Sequence, residues 1–146
     1  TAMCADIVIA ADSAKIGDAH ANFGVYPGAG GAAVLPRIVP LNVAKYLLFT
    51  GDTLSAEEMK TYGFVNRVVS IDSLRDEAQK LAELIAEKSP IALQRMKVVA
   101  NATGDKARND ALEHEQVLFR RHMRSYDAAE GIRAFGEKRK PQFMGC

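Results

Sequence analysis

Along the first third of the chain, apolar positions alternate between short β-like runs and helical spacing. Asp6-Ile7-Val8-Ile9-Ala10 is β-branched and apolar, and Ala14-Lys15-Ile16-Gly17 follows an Asp12-Ser13 turn, so two short strands are predicted there. A loop rich in special backbone residues then runs from Asp18 through His20, Asn22 and Gly24 to Pro27-Gly28-Ala29-Gly30-Gly31. Pro36, within residues 32–39, would break a long helix, which predicts one short helix ending there and another over residues 41–49. Ser55-Ala56-Glu57-Glu58 has the capping-box spacing that opens a short helix ending at Gly63, and residues 64–69 read as a strand.

After residue 70 the pattern is wholly helical. Leu74, Ala78, Leu81, Ala82 and Ile85 recur on one helical face, and Ser89-Pro90 supplies an N-cap and first-turn proline for a second helix carrying Leu93, Met96, Lys97 and Ala100. A third helix is predicted over residues 107–124. A fourth is predicted to begin at Asp127, with Glu130 three residues on as a second capping box. The chain thus reads as two parts: residues 1–70, mixed strands and helices around a glycine-rich loop, and residues 71–146, amphipathic helices that need something to cover them.

Composition changes this picture little. The 146 residues are 48% hydrophobic and 25% charged, as in an ordinary globular domain. A formal net charge of +1 gives no electrostatic reason to expect nucleic acid or an anionic membrane as partner. No apolar run approaches the roughly 18 residues that span a bilayer, and no signal-peptide pattern opens the chain, which makes a cytoplasmic location the default expectation. Cys4 and Cys146 lie at opposite ends without metal-ligand or disulfide-framework spacing, as expected of free thiols in a reducing compartment. The start, Thr1-Ala2-Met3, has no initiator methionine and moves straight into an apolar run, which fits a fragment or a processed chain.

The chemically informative segment is Pro27-Gly28-Ala29-Gly30-Gly31. Bare amides at a helix N-terminus point outward with the positive end of the dipole and can hold an anion, a polarised carbonyl or a nucleophilic water. A structural turn and a binding loop both fit these local features. Residues 28–33 also satisfy the dinucleotide pattern G-x-G-x-x-G/A, with Asp52 downstream as a ribose acceptor, but that fingerprint needs a buried strand leading into its first glycine. Here Asn22, Gly24 and Pro27 interrupt the approach. His20, in the same loop, is a residue type suited to proton transfer near neutral pH, and equally a common structural loop residue. No metal-binding His/Cys spacing and no G-x-S-x-G occurs, so no metal is expected.

Several segments, in order, resemble the crotonase (enoyl-CoA hydratase/isomerase) family. Residues 5–11 are similar to its "CDIRIA" strand, Ala14-Lys15-Ile16-Gly17 to its "AKFG", and residues 24–31 to its "G-x-x-PGAGG" loop, followed by Leu35-Pro36-Arg37. Residues 47–52, 55–58 and 63–69 resemble the "LLLTG…SAEEA…GLVNRVV" stretch. Ser89-Pro90, Glu130-Gly131-Ile132, Ala134-Phe135, Glu137-Lys138-Arg139 and Pro141 complete a match over residues 2–143.

The resemblance implies an α/β fold, the C-terminal part of a crotonase-like ββα spiral followed by an α-helical oligomerisation region, in a trimer or dimer of trimers. It implies an acyl-CoA thioester as substrate, with coenzyme A part of that substrate rather than a separate cofactor. The reaction implied is that of a lyase of fatty-acid β-oxidation, adding water across a 2-enoyl-CoA double bond through an enolate held by two backbone amides. A double-bond isomerase and a non-catalytic CoA-binding or oligomerisation module are the alternatives. Both amides, with the family's first catalytic glutamate, are expected upstream of Thr1, the glutamate one residue before it, so a missing N-terminal half is an implied partner and the chain alone is expected to be inactive. The family's second glutamate falls on His20, a departure that leaves the reaction type open. Gly28 matches the residue whose amide lies by the reacting carbons. Phe135 and Lys138 match contacts to the adenosine-phosphate end of CoA, where Phe135 packs on adenine and Lys138 pairs with phosphate.

Overall fold

Short apolar runs become strands only where another strand answers their hydrogen bonds, and here those answers come from far along the chain. In the computed structural model, which describes residues 2–146, β1 (Ile9–Ala11) pairs in parallel with β4 (Arg67–Val69), and β2 (Lys15–Gly17) pairs antiparallel with β3 (Thr53–Ser55). A parallel pair needs a long crossover, and everything between β1 and β4 serves as one. The first predicted strand is shorter than expected, because the N–H of Val8 meets a side chain rather than a ladder carbonyl. Its N–H donates to Asn66 Oδ1 at 2.8 Å and its carbonyl accepts from Asn66 N–H at 2.9 Å. β3 was not predicted.

Contacts divide the chain into two units, Thr1–Lys80 and Leu81–Cys146. The division falls inside α4 (Leu74–Ala86), whereas the change to wholly helical structure follows β4 at Val69.

In the first unit, α1 (Gly31–Ile38) runs through Pro36 instead of stopping there. Pro36 lies near the end of a short helix, so its missing N–H removes one bond, and Val39 N–H still reaches Leu35 O at 3.1 Å. α2 (Leu41–Thr50) ends at Gly51, whose φ of 66° is the left-handed conformation a side chain disfavours. α3 (Ala56–Thr61) begins with the predicted capping box: Glu58 N–H donates to Ser55 Oγ at 3.2 Å and Ser55 N–H to Glu58 Oε2 at 2.8 Å. The core brings Leu35 of α1 and Val39 just after it against Val43, Ala44 and Leu47 of α2, with Met59 of α3 and Phe64 and Val65 beyond it. Each large apolar side chain buried this way contributes about 1.5–3 kcal/mol.

In the second unit, α5 (Pro90–Ala102) is capped by Ser89, with Ala92 N–H donating to Ser89 Oγ at 3.2 Å, and packs on α6 (Arg108–His122). α7 (Tyr126–Gly136) departs from expectation. Its cap is Ser125, which accepts from Ala128 N–H at 3.2 Å, and Asp127 and Glu130 form no capping box. Both are buried, at 1% and 3% exposure, and both hold the C-terminal tail. Asp127 accepts from Ser89 Oγ at 2.5 Å, from Met144 N–H at 2.7 Å and from Gly145 N–H at 3.1 Å. Glu130 takes a bidentate pair from Arg139 at 2.6 and 3.0 Å, and Gln142 N–H at 3.0 Å. Buried carboxylates must be paired in this way, because desolvating an unpaired charge is costly.

The hydrogen bonds from Arg139, then that from Gln142, hold the Glu130 carboxyl at about 2, below its ordinary 4.5. Its stabilising effect is therefore complete above pH 4.5 and is lost as pH falls toward 2. The Glu130→Gln variant is expected to melt lower at neutral pH and to show a flatter dependence of melting temperature on pH between 4.5 and 2. Circular-dichroism melts across that range check both effects.

Candidate active-site loop

The loop joining β2 to α1 is fixed by two close approaches that glycine permits. At Gly31, the first residue of α1, a Cβ would lie 2.6 Å from Asp18 Oδ2 and 2.9 Å from Pro27 Cβ, so the bare Cα lets the Asp18 carboxylate and the Pro27 ring sit against the helix start. At Gly51, the Asn22 side chain occupies the space a Cβ would need, and Asn22 Nδ2 donates to Gly51 O at 3.0 Å. Between these anchors His20–Phe23 forms a 3-10 turn closed by Gly24, with Val25 N–H donating to His20 O at 3.0 Å.

Asp18 and His20 form a pair. His20 Nδ1 lies 2.5 Å from Asp18 Oδ1, and His20 N–H donates to the same oxygen at 3.1 Å. The Asp18 side chain is 13% exposed and that of His20 45%, so the carboxylate is the inner member and the imidazole the outer. Burial acts to raise the Asp18 carboxyl, but the side-chain and backbone hydrogen bonds to His20 outweigh it and hold the group below its ordinary value. Asp18 was not singled out from sequence. The signal was available: an Asp whose carboxylate accepts the N–H two residues on is an Asx turn.

Asp18 and Gly31 line a cleft of about 170 Å³ together with Ile16, Leu35, Leu47 and Phe64. The N-cap of α1 is Gly30, φ 95°, which offers no side-chain cap, so the first amides of the helix are left for a ligand or solvent. Gly28 stands apart from the other loop glycines. A Cβ there would meet nothing within 4 Å and, unlike Gly24 and Gly30, its φ is not positive, so nothing among the described residues requires glycine at that position. His20 and Gly28 share this loop, with no hydrogen bond joining them among the described residues.

Asp52, the residue a dinucleotide reading would place at a ribose, accepts from Tyr46 Oη at 2.8 Å and from Thr53 N–H at 2.7 Å. β2 ends at Gly17, and the 3-10 turn separates it from Gly28. That reading is excluded.

Phe135 and Lys138 lie in the second unit, at the end of α7. Lys138 has φ 56°, and the turn is a Schellman motif: Arg139 N–H donates to Ala134 O at 3.0 Å and Lys138 N–H to Phe135 O at 3.3 Å. The left-handed position that glycine favours is filled by a lysine, at a cost of about 1 kcal/mol. In the run Lys138-Arg139-Lys140, Arg139 is committed to Glu130 and Glu137 and Lys140 lies 3.6 Å from Glu87, whereas Lys138 has no ion pair among the described residues. The Phe135 ring is 87% exposed.

The enoyl-CoA hydratase/isomerase family pattern matches residues 1–145. Among curated relatives, a carnitinyl-CoA dehydratase of Citrobacter koseri is 35% identical over 99% of this chain and 57% of its own length. A crotonyl-CoA hydratase of Syntrophomonas wolfei is 38% identical over 98% of this chain and 55% of its own length. The crystal structure of an enoyl-CoA hydratase from Bacillus anthracis superposes with a TM-score of 0.95 at 35% identity, covering 99% of this chain and 56% of that one. The chain thus spans little more than half the length of the relatives it matches.

The two glycines make a test of what the loop is for. Gly31→Ala is expected to lose about 1–2 kcal/mol through overpacking against Asp18 and Pro27, despite the better helix propensity of alanine, and to lower the melting temperature by several degrees. Gly28→Ala is expected to melt within about a degree of the parent protein, because its Cβ meets open space. Thermal melts of the two variants side by side check this contrast.

Proposed function

The chain belongs to the enoyl-CoA hydratase/isomerase family, and we propose that within it the chain supplies the proton-transfer loop and the CoA-end contacts of an acyl-CoA lyase of hydratase type. The observation that carries this reading is the Asp18–His20 pair, at the position where the family resemblance places a catalytic carboxylate. In the reaction, a water oxygen bonds to C3 of the 2-enoyl thioester while the double-bond electrons move to C2 and the thioester carbonyl. A water proton is taken up and C2 is protonated, giving a 3-hydroxyacyl-CoA. His20 Nε2 serves the proton transfer at C2, and the Gly28 amide lines the reacting carbons.

The apolar cleft beside Asp18 fits a short acyl chain. The unpaired cation of Lys138 and the exposed Phe135 ring fit the phosphate and adenine of CoA, and the strain of a lysine in the left-handed region supports a role beyond capping α7. CoA enters as part of the substrate, and no further cofactor is proposed. Self-association accounts for the helices of the second unit: no residue of α5 or α6 is fully buried, and Met96, Val117 and Phe119 are largely exposed.

A second reading has one observation in its favour. With a histidine at the position of the family's second glutamate, one acid–base group suffices for a proton shift between C2 and C4 of an enoyl thioester, which needs no activated water and makes double-bond isomerisation the competing activity.

The test is turnover of short 2-enoyl-CoA and 3-enoyl-CoA thioesters by the whole protein, with product identification. A 3-hydroxyacyl product supports the hydratase reading and a shifted double bond the isomerase. CoA binding without turnover leaves only a binding module. His20→Ala is expected to lower kcat at least tenfold, as removal of a general acid or base does. An unchanged rate makes His20 a structural residue.

A further inference from the structure

The histidine of the loop does not stand alone. Asp18 Oδ1 receives both His20 Nδ1 and His20 N–H, at 2.5 and 3.1 Å, while Asp18 Oδ2 rests where the missing side chain of Gly31 would be, at the positive end of α1. The carboxylate is thus fixed on one side by the helix start and on the other by the histidine it faces, and at 13% exposure it is shielded from exchange with water. An ionised carboxylate only accepts hydrogen bonds, so the nitrogen facing it carries a proton, and in the neutral ring Nε2 is left with its lone pair.

We propose that Asp18 is the positioning residue of this site, holding His20 in the Nδ1–H tautomer and in one ring orientation so that Nε2 is the atom that takes and gives the proton. The proposal rests on the reading of His20 as the proton-transfer group and adds what makes the histidine fit for it. A free loop imidazole samples both tautomers and several rotamers, and each wrong one is inactive. The Asp18 contact removes them before substrate arrives.

The geometry also dictates how substitutions at Asp18 differ. The backbone N–H of His20 pins Oδ1 in place, so an asparagine at position 18 keeps its oxygen toward Nδ1 and its amide group away. Asp18→Asn therefore preserves the tautomer, and Asp18→Ala loses it.

The experiment is nitrogen NMR of the whole protein with labelled histidine, together with steady-state kinetics. The chain has three histidines, and the His20 signals are those lost in His20→Ala. The parent protein should show neutral His20 protonated at Nδ1. Asp18→Ala should shift the balance to Nε2–H and lower kcat at least tenfold while KM changes less than about threefold, whereas Asp18→Asn should keep Nδ1–H and stay within about threefold of the parent kcat. Persistence of Nδ1–H in Asp18→Ala with kcat within twofold of the parent overturns the proposal. So does Nε2–H in Asp18→Asn, which is readable even if the alanine variant fails to fold. If the tautomer shifts as expected but no variant turns over an enoyl thioester, the positioning role stands and the hydratase reading fails.

Discussion

At the start of α1 the chain brings a carboxylate against a backbone, and it can do so only because Gly31 has no side chain. A Cβ would leave 2.6 Å to Asp18 Oδ2, where a carbon and an oxygen need more than 3 Å. This close approach decides the path of everything between β2 and α1. With Asp18 seated at the helix start, the next residues turn through His20–Phe23, and Asn22 reaches the end of α2 at Gly51. A loop of this length would otherwise be among the more mobile parts of the protein. Two glycine contacts and one amide hydrogen bond tie it to α1 and α2, the elements that also form the core around Leu35, Ala44 and Leu47. Rigidity at His20 is in this sense inherited from packing.

The second unit solves a related problem with charge. Asp127 and Glu130 are buried on α7, and the residues that follow that helix return to satisfy them through Arg139, Gln142, Met144 and Gly145. The same arrangement commits Arg139 and leaves Lys138, in a left-handed conformation at the turn, without an ion pair among the described residues. Stability and availability are thus distributed between adjacent residues. One basic residue anchors the tail, and its neighbour makes no ion pair among the described residues.

The parts of this structure legible in the sequence are those set by short-range rules. The Ser55 capping box and the Ser89-Pro90 helix start follow from spacing within one turn, and the helical faces beyond residue 70 follow from periodicity. The failures have the opposite character. β3 is three residues long and exists because β2 pairs with it, which no local pattern reveals. Asp127 and Glu130 have capping-box spacing, but their partners lie at residues 139–145 and in Ser89, so a pattern of separation three was mistaken for a local role. Pro36 was expected to end a helix that in fact closes two residues later. In the candidate site, the sequence singles out His20 by its place beside the glycine loop and by the family resemblance, and the proposal of its role starts from there. The sequence does not single out Asp18, two residues away, because its contact with Gly31 is made across the loop and not within one turn.

The central claim is that His20 exchanges a proton with the carbon next to an acyl-CoA carbonyl. The most direct measurement is deuterium incorporation at C2 of a short acyl-CoA incubated with the whole protein in heavy water, followed by mass spectrometry or proton NMR. The account predicts incorporation by the parent protein and its loss, by at least tenfold in rate, in His20→Ala. Incorporation at the parent rate in His20→Ala contradicts it, and would mean that another group carries the proton.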